Sequence, residues 1–524
     1  MIPIYIAFLW HMHQPLYWPG ENVMETEAAA HYGFSVLTVH LDRTGPYTAW
    51  PMDAVRAAMD AGLGSCGAQV SFTGSLIDNL NAIEAAGAGF SGWKTGWNSA
   101  GSWTTSLGNP RIDMVSIGHF HPIMPLVGHD AVELQIEMHR RALGEAFPDA
   151  ARSRGIFPPE TGFSPEMIPA LSRAGIEWAI VDNIHFDRTL SGYPWRSGSN
   201  LFPPNRAEQL SDADPAWVEL TGIWAPTAVA APWGYQPHRV RHTDPETGEE
   251  SEIIAVPGAS YEGNEDARGG FGALNYDEVL SQLADHNTDP DHPILVVLHH
   301  DGDNYGGGTD SYYRSNFDNF ISWLQANPDR FVCTTIQDYL DTFPPAEDDV
   351  IHVEPGSWSG ADNGDPEFGK WNGDPDDDGY SPDRNSWAVI TAARNRVETA
   401  NDLEPYSSVE DVKNGTGNAT AKALHWLMLA ETSCYWYWDG AEGGIWDSHP
   451  ARASNRAAAE ADTVIDAHGG EDDTPPTIHM PLTRRRTAAA TLPRTQRMTP
   501  GTMMDPTADA PARLLPREAK ASPA

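Results

Sequence analysis

Short apolar runs alternate with amphipathic stretches along roughly the first two thirds of the chain, and most of the apolar runs end in a polar cluster. Ile2 to Trp10 is continuously apolar, as a strand covered on both faces must be, and it ends in His11-Met12-His13-Gln14-Pro15. Gln69 to Thr73, Ile112 to Ile117, Gly155 to Phe157, Trp178 to Val181, Glu252 to Val256 and Ile294 to Leu298 read as six further strands, with Phe331 to Ile336 a short one at the margin. Between them, Met52 to Ala61, Leu76 to Ala86, Ala131 to Phe147, Pro165 to Arg173, Tyr276 to His286 and Phe317 to Ala326 have helical periodicity. Strands alternating with helices predict an α/β fold with a parallel sheet. Polar clusters follow the first, third, fourth, fifth and seventh strands, always at the C-terminal end, as in a closed barrel with one active face. An open doubly wound sheet is the alternative, but no Gly-x-Gly-x-x-Gly or Walker-type loop follows the first strand.

Arg154 to Glu166 carries the most chemistry per residue. Pro158 and Pro159 stop the fourth strand, because proline has no N–H to give a ladder, and Glu160 stands just beyond them. A carboxylate on a strand-to-helix turn is where an α/β barrel keeps its reactive groups, although Glu160 could equally cap or bridge the turn. Asp301, after the seventh strand in His299-His300-Asp301-Gly302-Asp303, is a second carboxylate on the same face. Gly302 is expected to let a ligand approach the backbone. Glycoside cleavage needs such a pair, one acid to protonate the leaving oxygen and one carboxylate to attack or to activate water. The paired histidines His11/His13, His119/His121 and His299/His300 all fall at strand ends. They could hold zinc together with Asp301, or hydrogen-bond sugar hydroxyls.

The texture changes near residue 345. A Gly/Asp-rich region beginning at Gly356-Ser357-Trp358-Ser359-Gly360 leads into helical patterns over Trp387 to Asn401, Ala419 to Glu431 and Ala451 to Ala467. The expected organisation is a barrel over 1–345 with a long insertion near 184–251, a helical domain over 346–470, and a disordered basic tail over 471–524. The Trp-rich segment Gly92 to Trp103 reads as loop. Asp374-Pro375-Asp376-Asp377-Asp378-Gly379 opens like a calcium loop, but its twelfth position is Asn385 rather than Glu. A solvated acidic loop is the stronger reading there.

Charge excludes some partners. The 73 acidic residues against 33 basic ones give a formal charge of −40, and lysine occurs only at 94, 370, 413, 422 and 520. Nucleic acid and anionic membrane are poor partners for such a surface. It resembles halophilic proteins, whose self-repulsion is screened at high salt, so the melting temperature is expected to rise with potassium chloride. The three cysteines, Cys66, Cys333 and Cys434, are odd in number and far apart, and suggest neither a disulfide framework nor a zinc site. The N-terminal apolar run is too short to span a membrane and lacks a basic n-region, so a cytoplasmic protein is expected, with its oligomeric state open.

Five segments together, His11-Met12-His13-Gln14-Pro15, Gly118-His119-Phe120-His121-Pro122-Ile123-Met124-Pro125-Leu126, Gly155 to Glu160, His300-Asp301-Gly302-Asp303 and Ala430 to Trp436, resemble in order and spacing the motifs of glycoside hydrolase family 57. The family acts mainly on α-glucans, as α-amylases, 4-α-glucanotransferases, amylopullulanases and branching enzymes, and includes an α-galactosidase. The resemblance spans roughly residues 2–440. It implies a distorted TIM-like (β/α)7 barrel followed by a helical domain that completes the site, and the seven main strands counted above agree with it. It implies a retaining mechanism with Glu160 as nucleophile and Asp301 as acid/base, the carboxyl groups being about 5–5.5 Å apart. It implies His11, His13, Gln14 and His121 as substrate contacts and Trp436 as a sugar-stacking ring; His300, Asp303 and Trp438 are further candidates for substrate binding, and no cofactor is expected beyond a possible structural calcium at the separate Asp374, Asp376 and Asp378 loop. The chain departs from the family at Ser433-Cys434, where many members have Ser-Asp. A metal-dependent carbohydrate hydrolase of deacetylase or α-mannosidase type is the alternative, and a non-catalytic glycan-binding barrel is a third reading.

Overall fold

The computed structural model describes residues 2–197, 203–360, 363–373, 382–438 and 444–469. Eight strands position the site: β1 (Ile4–Met12), β2 (Ala68–Phe72), β3 (Ile112–Met114), β4 (Gly155–Ile156), β5 (Trp178–Asp182), β6 (Glu250–Gly258), β7 (Leu295–Asp301) and β8 (Phe331–Cys333). All the pairings among them are parallel. β1 lies between β2 and β7 and also pairs with β8. β2 pairs with β3, β4 with β5, and β5 with β6. The last two joints are short. Val297 of β7 meets Gly258 of β6, and Ser116, just past β3, bridges to Ile156 of β4. Ser116 donates its N–H to the Gly155 carbonyl at 3.0 Å and accepts from Phe157 N–H at 2.9 Å. With that bridge β1 to β7 form a continuous ring of seven strands.

Side-chain parity explains why β1 is apolar throughout. Alternate residues of a strand face opposite sides. Ala7 and Leu9 join Val115, Ile117, Phe157, Ile180, Val256, Leu295 and Val297 in one apolar cluster, the barrel interior. Ile4, Ile6, Phe8, Trp10 and Met12 join the larger core between the strands and the surrounding helices. Both faces are covered, so neither tolerates a polar residue until the strand reaches the mouth at His11.

The helices surround this ring. Gly74–Ala85, His129–Ala146 and Phe317–Ala326 bury apolar faces against it. Pro165–Met167 and Ile168–Arg173 are a 3-10 turn and a helix where one helix was expected, with proline in the first turn of each. The expected 184–251 insertion is more ordered than its composition suggests. His238–Thr243 pairs antiparallel with β6, and Ala216–Val218 pairs with Val229–Ala231. Beyond the barrel a hairpin, Gly356–Gly360 with Asn363–Pro366, leads to helices Pro382–Leu403, Ala419–Ala430 and His449–Ala467, which pack on one another. Asp374, Asp376 and Asp378, and the tail over 471–524, lie outside the described residues. Among the described residues no helix is long and apolar enough to cross a membrane.

Three sequence expectations are corrected. The segment 92–103 is not a loop: Lys94–Ala100 is helical, and Trp93 and Trp97 are buried against Phe72 and Phe147. Its Gly and Ser residues allow close packing of a short helix and were misread as turn signals. Cys66 and Cys333 form a disulfide, despite 267 residues of separation, because β2 and β8 both flank β1 and bring the two residues together. Gly302 does not open the backbone to a ligand. A Cβ there would stand 2.7 Å from both Trp10 Cβ and Tyr313 Oη, so the glycine permits close internal packing.

Candidate active site

Glu160 sits at the barrel mouth in a left-handed conformation, with φ 59° and ψ 25°, and Thr161 follows at φ 49°. His121, in the neighbouring loop, has φ 60°. The left-handed region costs a side chain with a Cβ on the order of 1–2 kcal/mol, and such residues gather where geometry serves function. Two prolines before Glu160 and Pro122 after His121 stiffen these turns.

The Glu160 carboxylate is buried and held from the far half of the chain. Ser433 Oγ donates to Oε1 at 2.9 Å, and the Trp358 indole N–H donates to Oε2. His121 Nδ1 lies 3.7 Å from Oε1. Burial pushes the carboxyl pKa up, while the Ser433 and Trp358 hydrogen bonds and the Lys370 charge work against the rise.

Asp301 ends β7 on the same face of the strand as Leu295 and Val297, which places it at the interior mouth. Its pKa is raised as well, here with like charges adding to burial. Burial, then the charges of Asp303 and Glu160, push its pKa up to about 7, against the opposing pull of His300 and Arg43. Asp303 is buried and accepts from Tyr47 Oη at 2.6 Å and from the His13 backbone N–H at 3.1 Å, so it braces the exit of β1.

The histidines separate into two groups. His11, His13 and His121 stack side by side, with ring centroids 4.0 Å apart for His13 and His121 and 5.0 Å for His11 and His121. Burial foremost, and then the neighbouring rings, hold their pKa values down, His11 to about 3, so all three are neutral at ordinary pH. Gln14 stands beside them and accepts from Tyr17 Oη at 2.6 Å. His300 has the opposite parity to Asp301 and turns outward. Its Nδ1 is 2.9 Å from the Asp301 carbonyl oxygen, and its Nε2 lies 3.0 Å from Asp266 Oδ2 and 2.9 Å from Tyr312 Oη. Both ring nitrogens are therefore engaged within the fold, and His300 is placed as a support rather than a sugar contact. His119 is likewise fully buried behind the loop, 3.3 Å from Asp78.

Trp436 is also placed differently from the expectation. It is 4% exposed and packs on Trp387 at 4.7 Å, inside the helical core. The neighbouring rings face outward: Tyr437 is 40% and Trp438 38% exposed, and Tyr437 lies under the Lys370 ammonium at 4.3 Å. Trp436→Ala is expected to destabilise the fold by about 3–5 kcal/mol, read by chemical denaturation, as for a large aromatic lost from a core. An unchanged unfolding midpoint with lowered activity would restore the sugar-stacking role.

Sequence reasoning missed Trp358, Ser433 and Lys370. Ser433 stood inside a motif already singled out. Trp358 carried no signal beyond one aromatic in a glycine-rich stretch.

The comparisons bear on this geometry. A model of glycosyl hydrolase family 57 matches residues 101–212, the stretch that contains His121 and Glu160. An alpha-amylase of Niallia circulans is 30% identical over 361 residues, 66% of this chain. Over these stretches the chain is similar to glycosyl hydrolase family 57 and to that amylase. It spans only about a quarter, 27%, of that amylase's length. Two solved structures superpose on it. An exo-type maltose-forming amylase from Pyrococcus sp. ST04 does so with a TM-score of 0.54 at 11% identity, covering 90% of this chain and 81% of the other. The 4-alpha-glucanotransferase of Thermococcus litoralis gives 0.51 at 16% identity, covering 88% and 60%. At these identities the likeness is one of fold, and it agrees with the seven-strand family 57 barrel and its helical addition.

Proposed function

We propose that this chain is a retaining glycosidase or transglycosylase acting on α-glucans, with Glu160 as nucleophile and Asp301 as acid/base. The observation that carries the reading is the difference in what surrounds the two carboxyls. Burial raises both pKa values, but at Glu160 two hydrogen bonds and the Lys370 charge oppose the rise, whereas at Asp301 two negative neighbours add to it and carry it to about 7. Carboxyl groups whose surroundings push them apart divide into nucleophile and acid. Asp301 would protonate the leaving oxygen as Glu160 attacks the anomeric carbon, then take a proton from water or from a sugar hydroxyl in the second step. The alpha-amylase relative supports an α-glucan as substrate.

The test is an assay on starch, maltooligosaccharides, pullulan and an aryl α-galactoside, with the anomeric form of the first product followed by NMR. The α-product is expected first, and kcat/KM should fall as pH rises through about 7, where Asp301 loses its proton. A β-product, or activity that climbs steadily above that pH, sinks the assignment. The second reading, a metal-dependent hydrolase, is favoured by the three clustered histidines, and exhaustive chelation separates the two. Retained activity supports the glycosidase, and loss restored only by zinc supports the alternative.

A cytoplasmic, salt-adapted setting is part of the proposal, supported by the −40 charge. The Cys66–Cys333 disulfide pulls the other way, because such bonds persist mainly in oxidising compartments.

A further inference from the structure

Apart from the two carboxylates, the group of metal-ligating atoms that stands out is His11, His13 and His121, whose ligand atoms all lie within 4.8 Å of one another. Each ring is fixed from behind by a hydroxyl. Nδ1 of His11 is 2.7 Å from Ser71 Oγ, Nδ1 of His13 is 2.9 Å from Thr73 Oγ1, and Nδ1 of His121 is 2.8 Å from Ser433 Oγ. The Nε2 atoms are the ones that these hydroxyls do not hold. Those of His11 and His121 are 3.1 Å apart, and that of His13 is 2.8 Å from Cys434 Sγ. Holding one ring nitrogen so that the other presents its lone pair is how proteins orient imidazole ligands. Three imidazoles beside a sulfur suit a borderline-soft cation, whereas magnesium and calcium take oxygen. The hydroxyls come from β2, from the residue after it, and from the residue before the short Cys434–Tyr437 helix, so the cluster is braced by two separate parts of the fold.

We propose that His11, His13 and His121 bind one divalent transition-metal cation of the zinc class, and that the bound cation blocks the sugar pocket. The blocking rests on the glycosidase reading above. His121 Nδ1 is 3.7 Å from Glu160 Oε1, so the ring that would hold the cation is also part of the wall around the nucleophile. Substrate and cation then compete for one place.

The test uses the full chain, stripped with chelator and titrated with zinc chloride by calorimetry, without substrate. One saturable site is expected, and cobalt(II) in its place should give the intense visible bands of a tetrahedral nitrogen site. Scattered surface carboxylates would not give those bands. His121→Ala should weaken zinc binding at least about tenfold. Ser71→Ala keeps all three ligands, removes one orienting hydroxyl, and should cost about tenfold. Zinc should raise the apparent KM for starch. Absence of a saturable site, or an affinity unchanged in both variants with melting temperatures equal to wild type, overturns the metal site. If the stripped chain shows no activity on α-glucans while zinc still binds, the glycosidase reading fails and the site stands. If zinc raises activity, the blocking role fails.

Discussion

Glu160→Gln is expected to lower kcat by about 10⁴-fold or more, with thermal unfolding close to wild type, as for loss of a nucleophile that acts as part of a unit. The change keeps the shape and lets the amide oxygen accept from Trp358 while the amide N–H turns to Ser433 Oγ as acceptor, but it removes the charge that attacks. Removing that charge should also lower the Asp301 pKa, because the Glu160 charge is one of the influences that raise it. The companion variant Asp301→Asn is expected to lose about 10²–10⁴-fold with an ordinary substrate. It should lose much less with an aryl glycoside whose leaving group needs no proton. A variant at Glu160 that keeps more than a tenth of wild-type kcat, with the protein free of contaminating amylase, removes the residue from the mechanism.

Glu354→Ala is expected to destabilise the fold by about 3–5 kcal/mol, read from denaturant unfolding, because it removes the carboxylate that holds a buried guanidinium at two of its nitrogens. Glu354 and Arg188 are each 1% exposed at the side chain. Arg188 Nε donates to Oε2 at 2.6 Å and its terminal nitrogen to Oε1 at 3.1 Å, while His185 Nδ1 lies 3.1 Å from Oε2. Burial alone would raise the Glu354 pKa. The His185 hydrogen bond and the Arg188 charge outweigh it and hold the group below its ordinary 4.5. A carboxyl depressed in the folded state gives stability that is present above 4.5 and lost as pH falls through its folded value. The gap between wild type and Glu354→Gln should therefore narrow below that pH. His185 Nε2 also lies 2.9 Å from the Ser357 carbonyl oxygen, so this cluster anchors the hairpin that delivers Trp358 to Glu160. An unchanged unfolding midpoint would mean that the pair only breaks even against its desolvation.

Strand order, the one-sided polar clusters and both carboxylates were legible in the sequence because each rests on a short local pattern. Parity along a strand was equally available and was not used. In Leu295–Asp301, Asp301 shares a face with Leu295 and Val297, and His300 cannot, so the outward turn of His300 into Asp266 and Tyr312 followed from counting by two. Other features were not local. The link from Trp358 to Glu160 spans 198 residues, and that from Ser433 spans 273. The Cys66–Cys333 bond depends on two strands meeting at the flanks of a third. Trp436 and Trp438, two positions apart, differ only in which side of a four-residue helix they leave, and composition does not tell core from rim there.

The Ser433 contact also orders events in time. A ribosome adding about 5–20 residues per second makes Glu160 well before the serine that donates to it, 273 residues later. All seven ring strands are finished by Asp301, so a folded barrel can exist on the nascent chain while its glutamate still lacks both Trp358 and Ser433. Synthesis thus yields the scaffold strands first and the residues that hold the glutamate later.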